Sequence, residues 1–256
     1  LIICSLFSVF PLYWMAVSAT NKSVDVTRGT LLPGKALLNN FVRLKQTQNL
    51  GGAMWNSFQY AIVLTLVALF VCSLAGYGFE IYHTRAKDRV MNIVLLAMMV
   101  PFAATMIPLF QMFSKAKLLN TTLGFILPTI STPFLIMLFR QSARSFPHDI
   151  IEAARIDGLS EFQIFYKIFF PTMRSTYAAA MTITFMNAWN SYLWPKVIMN
   201  DNRSITMPML IANLTEGYVT DYGILMLGVL LCTIPTVIIF FILQKSFAEG
   251  ITGAVK

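Results

Sequence analysis

Six apolar stretches divide the chain: residues 1–19, 59–79, 91–113, 122–139, 177–195 and 224–243. None of its 19 Lys and Arg or 11 Asp and Glu falls inside them. At a rise of ~1.5 Å per residue, about 20 helical residues cross a hydrocarbon core of about 30 Å. Each stretch is near that length, so the pattern predicts an all-α, polytopic membrane protein with about six transmembrane helices. A soluble helical bundle would instead carry charge along the wet face of every helix. One charge at mid-bilayer depth costs at least ~2.5 to 3.5 kcal/mol, which accounts for the segregation.

Several of the stretches are interrupted by proline, among them the third by Pro101 and Pro108, the fourth by Pro128 and Pro133, and the sixth by Pro235. Each removes a helix hydrogen bond and predicts a kinked rod. Such bends either help enclose a path or are simply tolerated where neighbouring helices satisfy the freed carbonyls. Between the stretches, 80–89 and 114–120 are short polar links and 196–223 is a longer polar loop. The longest connection, 20–57, contains "LLPGKALLNNFVRL", a Pro-Gly turn followed by apolar residues at helical spacing, which predicts a helix lying along the membrane interface. With no internal repeat and no soluble domain visible, residues 1–256 read as a single membrane domain. The first stretch has no preceding Lys or Arg and no clear small-residue cleavage site, unlike a signal peptide. Without an initial Met, a short preceding piece is expected.

Composition agrees: 57% of the 256 residues are hydrophobic and 12% charged, against roughly one quarter charged in soluble domains. The net charge of +8 fits lipid headgroups and partner subunits. It does not fit nucleic acid, because the basic residues are scattered and no basic stripe is interleaved with aromatics. Charge leaves the orientation open, since with the N-terminus inside, ten of the 19 basic residues lie inside and nine outside. Cys4, Cys72 and Cys232 have no metal-ligand spacing and read as small core hydrophobes. The Asn-x-Ser/Thr triplets at Asn21, Asn120, Asn202 and Asn213 mark either glycosylation sites or turn-rich polar loops.

One polar segment is more ordered than a loop requires: "PHDIIEAARIDGLSEFQIFYKIFFP", residues 147–171. Ser145 and Pro147 are helix-start signals. A helix then runs through Ile150, Ile151, Ala153 and Ala154 to Asp157, and Gly158 supplies the left-handed stop. Ser160 with Gln163 forms a capping box that restarts a second, amphipathic helix ending at Pro171. A short helix with paired Ala and a Gly suits docking into a groove on a soluble partner, with Glu152 as a charged anchor at the rim. The competing assignment is an interfacial helix resting on headgroups.

"EAARIDGLSEFQIFYKIFFP" resembles the EAA motif of ABC importer permeases at Glu152, Ala153, Ala154, Gly158, Ile168 and Pro171, with Phe170 where Leu is usual. The resemblance covers almost the whole chain. "FPLYWM", "ILPTISTPFLIMLFRQ", "NAWNSYLWP" and "EGITGAVK" are similar to the second permease subunit of carbohydrate importers of the maltose-type group. The resemblance implies a bacterial inner-membrane subunit with a cytoplasmic EAA coupling helix in the loop 140–176. It implies pairing with a second, homologous permease, two ATP-binding subunits, and an extracytoplasmic solute-binding protein that delivers a sugar or oligosaccharide. ATP and Mg would be used by the partner ATPases, and this chain would bind no cofactor. Residues 248–256, small and cytoplasmic by the same resemblance, would either reach the ATPases or stay disordered.

The fifth stretch is the most polar. Thr184, Asn187, Ser191 and Trp194 follow at helical spacing with Asn190 beside them, so one face would present amides, hydroxyls and an aromatic ring. Neutral hydrogen-bonding groups suit a sugar path, and they equally suit helix–helix hydrogen bonding. In the 196–223 loop, Asp201, Arg203, Glu216 and Asp221 are candidate contacts for the binding protein, or simply solvated. There is no phosphate-binding lysine motif, Ser/His/Asp set or metal-ligand cluster, and His83 and His148 read as isolated, solvated loop residues, so no enzymatic activity is expected. The rivals to a sugar permease are an importer of a non-sugar solute, a non-transporting scaffold, and an ion-coupled carrier. The last would need an ionisable residue at mid-membrane depth, which the six stretches lack.

Overall fold

The computed structural model describes residues 2–253, with side chains from 3 to 244. Every regular element among the described residues is helical. In chain order they are α1 (Ile2–Ala19), α2 (Ser23–Thr27), α3 (Leu37–Thr47), α4 (Leu50–Ile81), α5 (Arg85–Ala97), α6 (Phe102–Lys115), α7 (Thr122–Ile126), α8 (Pro133–Arg144), α9 (His148–Ile156), α10 (Glu161–Ile164), α11 (Phe170–Thr172), α12 (Arg174–Trp189), α13 (Leu193–Ile198), α14 (Met207–Asn213) and α15 (Tyr222–Gly253). A 3-10 turn, Leu127–Thr129, follows α7, and a π turn, Phe165–Phe169, follows α10.

The apolar stretches correspond to α1, α4, α5 with α6, α7 with α8, α12 and α15. By length and composition α4 and Tyr222–Gln244 of α15 can each cross a bilayer as one rod. Two more crossings require bent pairs: α5 meets α6 at 97°, and α7 with its 3-10 turn meets α8 at 55°. With 18 and 16 residues, α1 and α12 are shorter than the ~20 that a straight crossing takes.

The third stretch is therefore broken where a kink was expected. After α5, Met98, Met99 and Val100 each donate to the carbonyl three residues back, tightening the last turn. The residue before a proline is disfavoured in the α region, and Pro101 itself is extended at φ −60°, ψ 130° before α6 starts. Pro108 and Pro235 stay inside α6 and α15. Pro133 opens α8, where a missing N–H has no helical partner to lose.

The described residues divide into two compact units, those up to 59 with 190–238, and 60–189 with those from 239 on. In the first, the buried Asn40 of α3 donates its amide to the carbonyls of Ala19, at 3.0 Å, and Asn21, at 2.9 Å. These carbonyls lie at the end of α1 and just past it, where no further helical turn supplies a donor. Leu37, Leu38, Phe41 and Val42 of α3 stay exposed, the amphipathic pattern expected of an interfacial helix. The 196–223 segment is more ordered than a polar loop. Asn56 donates to the carbonyls of Arg203, at 2.6 Å, and Ile205, at 3.0 Å, and Ser57 Oγ accepts from Met207 N at 2.7 Å, opening α14.

In the second unit α4 packs against α8 at Gly76. A Cβ there would stand 2.6 Å from Phe139 Cβ and 2.8 Å from Arg140 N, so only glycine allows this approach. Thr176 of α12 donates to Ser142 of α8 at 3.0 Å. Tyr77 packs edge-on against Phe165 and Phe169, with ring centroids 5.4 and 4.8 Å away. Cys72 and Cys232 are buried as expected, but Cys4 is exposed on α1, because the first stretch turns most of its side chains outward.

Candidate functional site

The segment joining α8 to α12 is built from strong local signals. Pro147 is the N-cap of α9 at φ −65°. Asp149 sits in the first turn and Arg155 in the last, each complementing the helix dipole. At the other end Leu159 N donates to Ala154 O and Gly158 N to Arg155 O, at 3.0 and 3.1 Å. That pair of bonds is the Schellman stop, and Gly158 occupies its left-handed position at φ +80°. Ser160 and Gln163 then form the reciprocal capping box that opens α10. Helix, glycine elbow and second helix follow the sequence reading.

The second helix does not end at Pro171, as the sequence reading had it. It widens into the π turn Phe165–Phe169, passes Pro171 inside α11, and after Met173 continues as α12. A proline in an α-helix clashes with the carbonyl four residues back. The π turn lies across that position and re-spaces the ladder before Pro171 arrives.

Packing gives α9 two faces. Ile151 and Ala154 are buried, and they hold the helix on its unit. Asp149, Glu152, Ala153 and Ile156, at the i, i+3, i+4, i+7 spacing of one stripe, are exposed, with Ile156 at 87%. Of the six motif residues, Glu152 and Ala153 thus lie on the open face and Ala154 on the packed face. Gly158 forms the elbow, where a Cβ would meet nothing within 4 Å. Ile168 in the π turn and Pro171 in α11 are half-buried on the return helix.

The elbow is clasped. Arg155 Nε donates to Glu161 Oε1 at 2.7 Å and its Nη2 to Oε2 at 3.3 Å, and the Tyr82 hydroxyl, just beyond α4, donates to the same carboxylate. The Arg155 guanidinium also lies 6.0 Å from the Tyr82 ring centroid. Arg155 first, then Tyr82, holds the Glu161 carboxyl below the usual carboxylate range.

Sequence reasoning missed a second ionic cluster in this unit. Arg140 of α8, 5% exposed, donates to Glu80 of α4 at 3.0 Å and to Asp88 of α5 at 2.5 Å. Arg144 reaches Glu80 at 3.3 Å, and His83 lies 2.8 Å from Asp88. His83 thus contacts Asp88 at the edge of this cluster and is not an isolated residue, whereas His148 begins α9 and is exposed. Charges just past the ends of two apolar stretches were the available signal. Their pairing across 52 to 60 residues of sequence was not legible.

The polar fifth stretch is not one helix. Chain helicity stops at Trp189, and α13 starts at Leu193. Pro195 explains the stop, since it lacks the N–H for a bond to Ser191 and is accommodated only in the first turn of a new helix. The expected face of Thr184, Asn187, Ser191 and Trp194 therefore lacks a continuous helix to carry it. Thr184 is buried on α12 with its hydroxyl unpaired among the described residues. Asn187 on α12 is exposed; Asn190 is exposed, Ser191 half-buried and Trp194 buried beyond the break. In the 196–223 segment Lys196 pairs with Glu216 at 2.8 Å, and Asp221 pairs with Arg43 at 2.6 Å. Asp201 Oδ1 accepts from the Arg203 N–H at 2.9 Å. Among the described residues no group of three or more His, Cys, Asp or Glu is placed to hold a metal ion. The C-terminal "AEGITGAVK" tail lies outside the described side chains.

Residues 73–253 match the family model described as binding-protein-dependent transport system inner membrane component. Over 254 residues the chain is 42% identical to the lactose transport system permease protein LacG of Rhizobium radiobacter, covering 99% of this chain and 93% of that protein. It is 35% identical to the arabinooligosaccharides transport system permease protein AraQ of Halalkalibacterium halodurans, covering 97% and 91%. It is 30% identical to the sn-glycerol-3-phosphate transport system permease protein UgpE of Shigella flexneri, covering 97% and 92%. Its fold matches a chain of a bacterial ABC transporter involved in the import of the acidic polysaccharide alginate, with a TM-score of 0.85 at 21% identity, covering 96% of this chain and 92% of that one. A chain of the inward-facing MetNI methionine ABC transporter aligns at a TM-score of 0.59 and 17% identity, covering 77% and 94%.

Proposed function

The chain belongs to the family of binding-protein-dependent transport system inner membrane components, and from that premise we propose how it works. It is a multi-pass inner-membrane permease subunit of an ABC importer, and it acts with other components of such a transporter. In our reading it forms half of the translocation path for a sugar or oligosaccharide. A homologous permease forms the other half, two ATP-binding subunits lie on the cytoplasmic side, and an extracytoplasmic binding protein delivers the cargo.

The observation that carries this reading is α9. Ile151 and Ala154 anchor it while Asp149, Glu152, Ala153 and Ile156 stand open along one stripe. A helix-in-groove contact needs such an open stripe; here Ala153 and Ile156 offer its apolar contacts and Asp149 and Glu152 its charge. ATP and Mg are bound by the partner ATPases. Closure of that pair pushes on α9, and the push moves the transmembrane helices between outward and inward access. Ile168 and Pro171 shape the return helix that connects α9 to α12.

The sugar assignment is supported by LacG and AraQ among the relatives. On this chain, Thr184, Asn187, Asn190, Ser191 and Trp194 are proposed as neutral contacts to a hydroxylated cargo. Asp201, Arg203, Glu216 and Asp221 are proposed contacts for the binding protein. The test is coexpression with the ATPase, partner permease and binding protein of its transporter, affinity capture through this chain, and uptake of radiolabelled lactose with arabino-oligosaccharide and sn-glycerol-3-phosphate as competitors. Retention of the ATPase and competition by sugars alone is the expected result. Competition by glycerol phosphate alone would overturn the sugar assignment, and loss of the ATPase from the captured complex would overturn the docking role.

A further inference from the structure

The C-terminal end of α4 holds the docking segment from both flanks. On the side entering α9, Glu80 takes Arg140 at 3.0 Å and Arg144, the last residue of α8, at 3.3 Å. On the side leaving α9, the Tyr82 hydroxyl takes Glu161, the first residue of α10, whose carboxylate also binds Arg155 across the elbow. Lys87 of α5 steadies this end, donating to the carbonyls of Gly78, at 3.2 Å, and Tyr82, at 2.6 Å, and lying 5.2 Å from the Tyr82 ring centroid. Asp88 of α5 completes the grip on Arg140 at 2.5 Å.

We propose that Glu80, Tyr82, Arg140 and Glu161 form a bracket that makes α9 move as one rigid piece with the ends of α4 and α5, so that a push on the docking helix reaches the membrane helices. The proposal rests on α9 being the ATPase contact. Its physical basis is the geometry of the elbow. Gly158 has open space around it and no side chain of its own to stiffen the turn. An unbraced α9 would swing about that point, and the stroke would be dissipated locally. Two grips on either side of the glycine remove that freedom. Arg140 suits the front grip because its planar fork binds two carboxylates at once in fixed directions, and because it is buried, water does not compete for it. Gly76 keeps the base of the bracket tight by bringing α4 onto the backbone of Arg140. These are positioning residues: none lies on the open stripe of α9.

The experiment uses the assembled transporter with Cys4, Cys72 and Cys232 replaced by alanine. Spin labels are placed at the exposed positions His148, on α9, and Ala86, on α5. The pulsed-EPR distance between them is measured without nucleotide and after ATP–vanadate trapping. In the native bracket the distance is expected to be the same in both states. In Tyr82→Phe/Glu161→Gln, which cuts the rear grip, and in Arg140→Met, which cuts the front, trapping is expected to shift or broaden it while the ATPase subunits stay bound. A distance that changes with nucleotide in the native bracket, or that stays fixed in both variants, overturns the bracket. Should Arg140→Met not assemble, the rear-grip variant decides alone. Absence of the ATPase from the native complex would refute the docking role instead, so the two failures are distinguishable.

Discussion

Gly158 offers a sharp test of why the elbow is built as it is. Its φ of +80° lies where an L-residue brings its Cβ against the neighbouring carbonyl, at a cost of roughly 1–2 kcal/mol. A Cβ placed there meets nothing within 4 Å, so within this chain the penalty is backbone strain and not a clash. The strain falls on the two bonds that stop α9, Leu159 N to Ala154 O and Gly158 N to Arg155 O. A penalty of 1–2 kcal/mol corresponds to a roughly 5- to 30-fold change in an equilibrium. Gly158→Val should therefore depopulate the native elbow by about that factor, leave membrane insertion intact, and lower ATPase retention and uptake together. Gly158→Asn separates strain from bulk, because Asn is larger than Ala yet tolerates the left-handed region. The assay is affinity capture of the ATPase through the Gly158→Val, →Ala and →Asn permeases, read against native retention at equal membrane abundance. If strain decides, retention falls in the order Asn, Ala, Val. An order of Ala, Asn, Val would refute the strain reasoning and show that a partner surface approaches Gly158 too closely for any side chain. Native retention and uptake in the Val variant would refute both.

Replacing Asn187 and Asn190 with Leu should reduce uptake more than assembly if these exposed amides meet the cargo; unchanged uptake with unchanged assembly would remove them from the path. Asn40→Ala leaves the carbonyls of Ala19 and Asn21 without their donor and should destabilise the protein by about 1–3 kcal/mol, read as a lowered thermal midpoint in detergent. Glu161 faces Arg155 and Tyr82, and its carboxyl is held below the ordinary range, first by Arg155 and then by Tyr82. The clasp's contribution is therefore full above the ordinary carboxylate pKa and is lost as pH falls through the lower folded value. Hydrogen-exchange protection factors at residues 155–161, corrected for the intrinsic slowing of amide exchange toward acid, should fall on acidification through that window, and Glu161→Gln should abolish that pH dependence.

The parts of this protein legible in its sequence are those set by near neighbours and by solvent. Keeping 30 ionisable side chains out of six apolar stretches is a transfer free energy requirement that acts residue by residue, so a polytopic helical fold follows before any packing is known. The Gly158 elbow is equally local. Pro147, Gly158 and the Ser160–Gln163 box act through hydrogen bonds that close within a few residues, which is why the two helices appear where the pattern places them. Composition could not say how far a proline would bend its rod: Pro101 accompanies a 97° break, whereas Pro108 and Pro235 stay inside single helices. Nor could spacing show that the polar fifth stretch stops at Trp189, because a periodic pattern assumes the helix it describes.

Which charges meet was decided by tertiary structure alone. Arg140 reaches Glu80 and Asp88 only because Gly76 lets α4 lie against α8. That approach depends on how distant segments pack, and a one-dimensional pattern holds no record of it. The same packing buries Ile151 and Ala154 and leaves Glu152 and Ile156 open. Helical periodicity defines the faces of α9. Only contact with the rest of its unit decides which face is left free.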